Sequence, residues 1–165
     1  MSMINIGGQT ARSTLTKIQD GDIQPNAVDL RLGKVFAINE TDFTIDETQK
    51  IHRGSEEVTV WEDGYYHLYP GSYEVVMENI IDVGSGEAGF VITRSTLNRN
   101  GVFLTSGLYD TGYNGVMAGV MHISCGKMKV KPGTRIGQYL CFEAEQMSIY
   151  SGDYGKGKDH DQKYD

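Results

Sequence analysis

Residues 102–119, VFLTSGLYDTGYNGVMAG, decide how this chain is read. A short apolar run leads to one acidic residue, Asp110. A turn punctuated by glycine delivers one aromatic, Tyr113, and an apolar run, GVMAGVMHI, returns at once. That order predicts a β-hairpin with a carboxylate and an aromatic ring at its tip. Taken alone, such a tip is most simply a polar turn with a surface tyrosine. The chemistry it permits is a carboxylate that polarises water beside a ring that holds a flat or sugar-like ligand.

The rest of the chain agrees with a sheet. Its 165 residues fit one domain with enough length for a core. It has 21 Gly, only 3 Pro and many short β-branched or aromatic runs, among them VTVW, YEVVM, GFVIT and MKVKPG. That composition points to an all-β domain rather than a helical bundle. IQPNAVDLRLGKVFAI has apolar residues at 28, 30 and 32 and again at 35, 36 and 38, which predicts a strand, a Gly33 turn and a second strand. VTVWEDGYYHLYPGSYEVVM predicts three strands separated by turns at Asp63-Gly64 and Pro70-Gly71. In TRSTLNRNG, Ser95 is expected to cap a short helical turn and Gly101 to end it. PGTRIGQYLCFEAE is a turn and a strand. Residues 1–20 fit a terminal strand or a short helix. The charged stretch 39–57 is expected to be a solvent-exposed insertion. The all-β domain is placed at residues 1–150, with a flexible polar tail at 151–165.

The formal charge of −7 argues against a nucleic-acid polymer as partner, because phosphate chains select basic surfaces. A small anion remains open to it if the few cations converge. No run is long enough to span a bilayer, and the first residues lack a basic region followed by an apolar one. A membrane is therefore not expected as a partner. Cys125 and Cys141 are too few for a disulfide framework and are expected to be reduced core residues in a cytoplasmic protein. The histidines at 52, 67, 122 and 160 have no zinc-site spacing.

Four segments place small or polar residues where apolar strands end. PNAVDLRLG offers Asp29. TRSTLNRNG offers Arg94, Ser95 and Arg99 around a helix start, where free N–H groups favour an anion. The hairpin offers Asp110 and Tyr113, and GTRIGQ offers Arg135 and Gln138. In this order the segments resemble the motifs of the dUTPase and dCTP deaminase superfamily, from about Ile23 to Tyr154, with 39–57 unmatched. IQPNAVDLRLG is similar to the first motif, RSTLNRNGV to the second, LYDTGYNG to the third and GTRIGQYLCF to the fourth. The tail YSGDYGKGK is more similar to the deaminase branch.

The resemblance implies a distorted, jelly-roll type β-barrel with one short helix, assembled as a homotrimer with active sites between subunits. It also implies a choice between two reactions. Deamination needs a proton shuttle at the base, which the deaminase branch supplies as a Glu. Counting from GYNG, that Glu falls at Val120, in GVMAGVMHIS, where there is no carboxylate. Losing a general acid–base group typically costs ~10²–10⁴ in rate. Arg99 matches a deaminase-branch arginine, but a phosphate-region Arg serves either reaction. The Asp-x-x-Tyr pair resembles the dUTPase pattern, so the expectation is hydrolysis of dUTP to dUMP and pyrophosphate. The alternatives are dCTP deamination, alone or in a bifunctional enzyme, or a non-catalytic nucleotide-sensing regulatory protein whose partner surface is the 39–57 insertion with Trp61, Tyr65, Tyr66 and Tyr69, aromatics that a sheet core explains equally well.

In the hydrolytic reading Asp110 activates the water and Tyr113 packs under the deoxyribose. Thr105 faces the same pocket. Met117 and Met121 are expected either to shape that pocket or to lie in the core. Arg94, Ser95, Thr96, Arg99, Arg135 and Gln138 hold phosphate. Mg2+ bridges the phosphate oxygens, with Asp29 an outer-shell partner through water. Tyr154, Lys156 and Lys158 of the tail close over the ligand, and Tyr164 is a second aromatic candidate to cover the base.

Overall fold

The structure is a computed structural model and describes residues 3–4, 12–145 and 148–152. Thirteen strands and one short helix follow one another in the order β1 (Met3–Ile4), β2 (Thr14–Leu15), β3 (Val28–Ile38), β4 (Thr44–Ile45), β5 (Lys50–Ile51), β6 (Ser55–Glu57), β7 (Tyr66–Leu68) and β8 (Gly71–Asp82). The second half holds β9 (Glu87–Thr93), α1 (Ser95–Asn98), β10 (Val102–Thr105), β11 (Asn114–Ile123), β12 (Met128–Val130) and β13 (Arg135–Glu143). The fold is all-β, as composition implied. No helix among the described residues is long and apolar enough to cross a membrane.

One antiparallel path runs β9–β13–β3–β8–β11–β10. Its two ends meet through a side chain. The Thr93 hydroxyl on β9 donates to the Leu104 carbonyl on β10 at 2.9 Å and accepts from the Leu104 amide at 2.7 Å. That hydroxyl replaces a pair of ladder bonds and closes the sheet into a barrel, which removes the exposed edge an open sheet would present. Inside, Leu30, Leu32, Val35, Val75, Met77, Leu104, Met117, Met121, Ile136 and Tyr139 are buried in one cluster. Met117 and Met121 are thus core residues.

The sequence expectations divide by range. The 102–123 hairpin forms, with Val102 opposite Ile123 and Thr105 opposite Val120. Gly33 does not turn the chain; β3 runs through it with a register shift between Leu32 and Lys34. A bulge brings Gly33 so close to β8 that a Cβ there would lie 2.9 Å from the Val76 carbonyl oxygen. The Asp63-Gly64 turn forms, but β7 pairs with β12 rather than with β8. Residues 58–60 are not a strand, although the Val58 amide still bonds the Val35 carbonyl. The 39–57 insertion is mostly exposed and carries its own small hairpin, β4–β5.

Two residue-level expectations are corrected. Cys141 is buried, whereas Cys125 is exposed. The aromatic cluster splits: Tyr66 joins the core, while Trp61 and Tyr69 stay exposed with the Lys127 ammonium over both rings. Lys129 and Lys131 lie over Tyr65.

Thr93→Val keeps the shape of the side chain but leaves the Leu104 amide and carbonyl without their bonds. It is expected to lower unfolding free energy by about 1–3 kcal/mol, read from the urea midpoint.

Candidate active site

The hairpin loop between β10 and β11 is fixed from below. Tyr109 exchanges both backbone bonds with Gly89 of β9, at 2.7 and 3.0 Å. The Gly112 amide donates to the Val83 carbonyl, the Val83 amide donates to the Tyr113 carbonyl, and the Thr111 hydroxyl donates to the Glu87 carbonyl at 2.6 Å. The Tyr113 amide closes a tight turn onto the Asp110 carbonyl at 3.0 Å, with Gly112 at φ 84°. A residue with a Cβ would be strained there. Asp110 is therefore exposed on a constrained loop, and among the described residues it makes no ion pair and no side-chain hydrogen bond.

Glu87 is the support beneath this loop. Its carboxylate has no exposure, and it accepts from the Ser13 hydroxyl, the Ser13 amide at 3.0 Å and the Arg12 guanidinium at 3.2 Å. These bonds tie the segment before β2 to the loop that carries Asp110.

Beside the hairpin lies a cavity of about 460 Å³. Gly107, Leu108, Tyr109 and Tyr113 come from the loop, and Ala118, Gly119 and Val120 from β11; Glu74, His52 and Tyr150 complete the lining. Tyr113 is buried, donates its hydroxyl to the Val116 carbonyl at 2.5 Å, and stands 5.2 Å from both the Tyr109 and Tyr150 rings. It is a wall of the cavity rather than a surface tyrosine. Asp110 lies between two lining residues without lining the cavity itself. Thr105, expected to face this pocket, is exposed and not among its walls.

The expected phosphate residues gather elsewhere, around Asp29. This carboxylate has no exposure. It accepts from Gln138 at 2.9 Å, Gln24 at 3.1 Å and Arg135 at 3.2 Å, with the Arg94 Nε at 3.6 Å. Arg94 also donates to the Arg135 carbonyl at 3.2 Å, and Arg135 to the Gly21 carbonyl at 2.9 Å. The outer-shell metal role expected of Asp29 thus meets a carboxylate already held by four protein groups, two of them cations. As folded, its work is to fix Arg94, Arg135 and Gln138. Among the described residues no group of three or more His, Cys, Asp or Glu is arranged to hold a metal.

Sequence reasoning missed the second layer of this cluster. Arg31 donates to both oxygens of Asp22, at 3.0 and 2.6 Å, and Asp22 itself bonds the Gln19 amide at 3.0 Å. Burial raises the Asp22 pKa, but the Arg31 and Gln19 bonds outweigh it and hold the carboxyl below its ordinary range. The only sequence signal was the position of Gln24 and Arg31 inside the quoted first motif.

The second motif is less assembled. Ser95 is the first residue of α1 and not its cap; Arg94 holds the cap position, and its side chain makes no capping bond to the helix. Ser95 and Arg99 are exposed, and Thr96 borders a different groove, with Asn100 and Cys125. Tyr154, Lys156, Lys158 and Tyr164 lie outside the described residues, as does nearly all of the expected 151–165 tail.

The profile of a family described as dCTP deaminase-like matches residues 8–144. The chain belongs to this family. Among curated relatives, a probable deoxyuridine 5′-triphosphate nucleotidohydrolase of Aeropyrum pernix is 30% identical over 142 residues, 84% of this chain and 88% of the relative. The deoxyuridine 5′-triphosphate nucleotidohydrolase of Methanocaldococcus jannaschii is 30% identical, over 93% of this chain and 99% of the relative. Among solved structures, the dCTP deaminase of Agrobacterium tumefaciens superposes with a TM-score of 0.60 at 16% identity, covering 79% of this chain and 43% of that one. A Staphylococcus bacteriophage 80alpha dUTPase bound to dUpNHpp superposes at 0.53 and 10% identity, covering 87% and 98%. These superpositions support the barrel fold.

The stability that Asp22 contributes through Arg31 is fully present above the ordinary carboxylate pKa of about 3.9. It is lost as pH falls through the lower folded value. Asp22→Asn is expected to cost about 1.5–3 kcal/mol at neutral pH and to flatten the acid limb of the urea midpoint measured from pH 2 to 6.

Proposed function

We propose that this protein hydrolyses dUTP to dUMP and pyrophosphate. The observation that carries the reading is Asp110, an exposed carboxylate on a clamped loop beside a cavity walled by Tyr113. The names of the curated relatives and the missing carboxylate at Val120 support the same choice.

In this reading the base and sugar enter the hairpin cavity. The main chain of residues 107–109 and 118–120 reads the pyrimidine edge. The Tyr113 ring packs under the deoxyribose, where a 2′-hydroxyl would collide. Asp110 accepts a proton from the attacking water as general base. Arg94, Arg135 and Gln138, with Ser95, Thr96 and Arg99 from the second motif, neutralise the triphosphate, and fixed guanidinium groups suit phosphate geometry. The tail residues Tyr154, Lys156 and Lys158 close over the nucleotide. Magnesium bound with the triphosphate would offset part of its charge, while the Asp29 carboxylate is already held by Arg94 and Arg135.

A single chain keeps the two halves of this site apart: none of Asp29, Arg94, Arg135 or Gln138 lines the hairpin cavity. A homotrimer unites the cavity of one subunit with the cations of the next. Phe90, Ile92 and Phe103 remain exposed on strands of the single chain and are suited to such an interface.

Purified protein with magnesium is expected to release pyrophosphate from dUTP and no ammonia from dCTP. Asp110→Asn is expected to lower kcat by ~10²–10⁴ without altering the melting temperature. A variant that keeps full turnover removes Asp110 from the mechanism. Light scattering is expected to give three times the 18.3 kDa chain mass.

A further inference from the structure

Three lysines alternate along β12 and its flanks, and all of them point away from the core. In the β7–β12 pair Met128 stands opposite Leu68, Lys129 opposite His67 and Val130 opposite Tyr66. Tyr66, Leu68 and Val130 are buried in the core cluster, so the residues between them face out. Lys127, Lys129 and Lys131 form that outer row, and each is exposed. Aromatic rings hold the row in place. The Lys129 and Lys131 ammonium groups lie 4.6 and 5.0 Å from the Tyr65 ring centre, and that of Lys127 lies 5.5 Å from Trp61 and 6.0 Å from Tyr69. Trp61 stacks on the His67 ring at 3.7 Å. Lys127 stands 3.1 Å from His67 Nδ1, and an ammonium can only donate. Nδ1 therefore accepts, and Nε2 carries the proton that it donates to Asp63 at 2.8 Å.

Three cations here meet one carboxylate. Among the described residues Asp63 is the only acid in an ion pair with the row, 3.2 Å from Lys129. The chain as a whole has 15 basic and 22 acidic side chains and a formal charge of −7, so this face reverses the overall sign. The rings order the lysines without neutralising them. An anion that completes the row needs negative charges at the lysines' own repeat, which is two residues of extended chain or about 6.6 Å. A peptide strand with Asp or Glu at alternate positions has that repeat. Single-stranded nucleic acid fits less well, because its bases need open ring faces to stack on. Tyr65 already carries two ammonium groups, and one face of Trp61 is taken by His67. We propose that this face docks an acidic segment of a partner protein, bound as an extended strand with carboxylates at alternate residues. Its carboxylates pair with Lys127, Lys129 and Lys131, and its side-chain stems lie against Trp61 and Tyr69, which are 51% and 57% exposed. None of these residues lines the hairpin cavity, so the docking does not depend on the proposed hydrolysis.

The test titrates the full chain at low salt and reads the fluorescence of Trp61, the single tryptophan. The probes are a peptide of alternating Asp and Ala, the same residues with the acids in one block, and a thymidine oligonucleotide of equal charge. The alternating peptide is expected to bind at least about 3-fold tighter than either of the others, since consecutive acids on a strand point to opposite sides. Lys127→Gln combined with Lys131→Gln is expected to weaken it by about 3- to 20-fold, the range for two exposed charge pairs, with the melting temperature unchanged. Lys127→Arg with Lys131→Arg is expected to restore binding, which separates charge from folding. The sequence Asp159-His160-Asp161 of this chain has the same alternation, so Asp159→Asn with Asp161→Asn is measured in the full chain and is expected to leave the affinity unchanged. Equal binding of the two peptides, tighter binding of the oligonucleotide, or no loss in the double Gln variant overturns the proposal. Tighter peptide binding once Asp159 and Asp161 are neutralised also overturns it, and assigns the face to the chain's own segment.

Discussion

Four backbone hydrogen bonds and one threonine hydroxyl hold the β10–β11 loop down on the β8–β9 segment, and the candidate chemistry depends on that clamp. A loop of eight residues between strands would ordinarily be mobile, and a mobile carboxylate makes a poor general base because its geometry must be found anew each time. Here Tyr109 pairs with Gly89, and Gly112 and Tyr113 pair with Val83. On its other side Gly89 lies against β13, where a side chain would collide with the Tyr139 ring and the Leu140 carbonyl. The clamp in turn rests on Glu87, whose buried carboxylate is satisfied by Ser13 and Arg12. The residues before β2 are thus part of the active loop's foundation.

The electrostatics follow a similar logic of buried acids holding exposed cations. Asp29 and Asp22 are both without exposure, and each holds guanidinium groups that are partly exposed. Three arginines, at 31, 94 and 135, against two aspartates leave one positive charge in the cluster. One charge is little for a triphosphate, even with guanidinium geometry suited to it. The proposed reading therefore requires further cations, for which it draws on Arg99 of the second motif and the lysines at 156 and 158. An acidic protein can work on a tetra-anion in this way, because what matters is the field at the focus and not the net charge.

Much of the architecture was legible because it depends on local patterns. The hairpin at 102–123 announced itself by apolar runs around a glycine-rich turn, and the insertion at 39–57 by its predominance of polar and charged residues. Gly33 was misread because a turn and a bulge leave the same local mark, a glycine between apolar alternations; the difference lies in the approach of β8, 43 residues later at Val76. The pairing of β7 is not legible in its neighbourhood, because its partner, β12, begins about 60 residues away. The site follows the same division. Asp110, Tyr113, Arg94, Arg135 and Gln138 stand within the quoted motifs, whereas Glu87 and Asp22 act through bonds that only the fold creates.

In the proposed reading, the position of Asp110 relative to the cavity also bears on the choice between hydrolysis and deamination. Attack at the pyrimidine C4 needs an acid–base group within hydrogen-bond reach of the base, inside the cavity. Asp110 sits outside the lining, on the loop's solvent side, where a base could not present C4 to it while also occupying the pocket. It is suited instead to a water attacking the phosphate chain that leaves the pocket beside Tyr113.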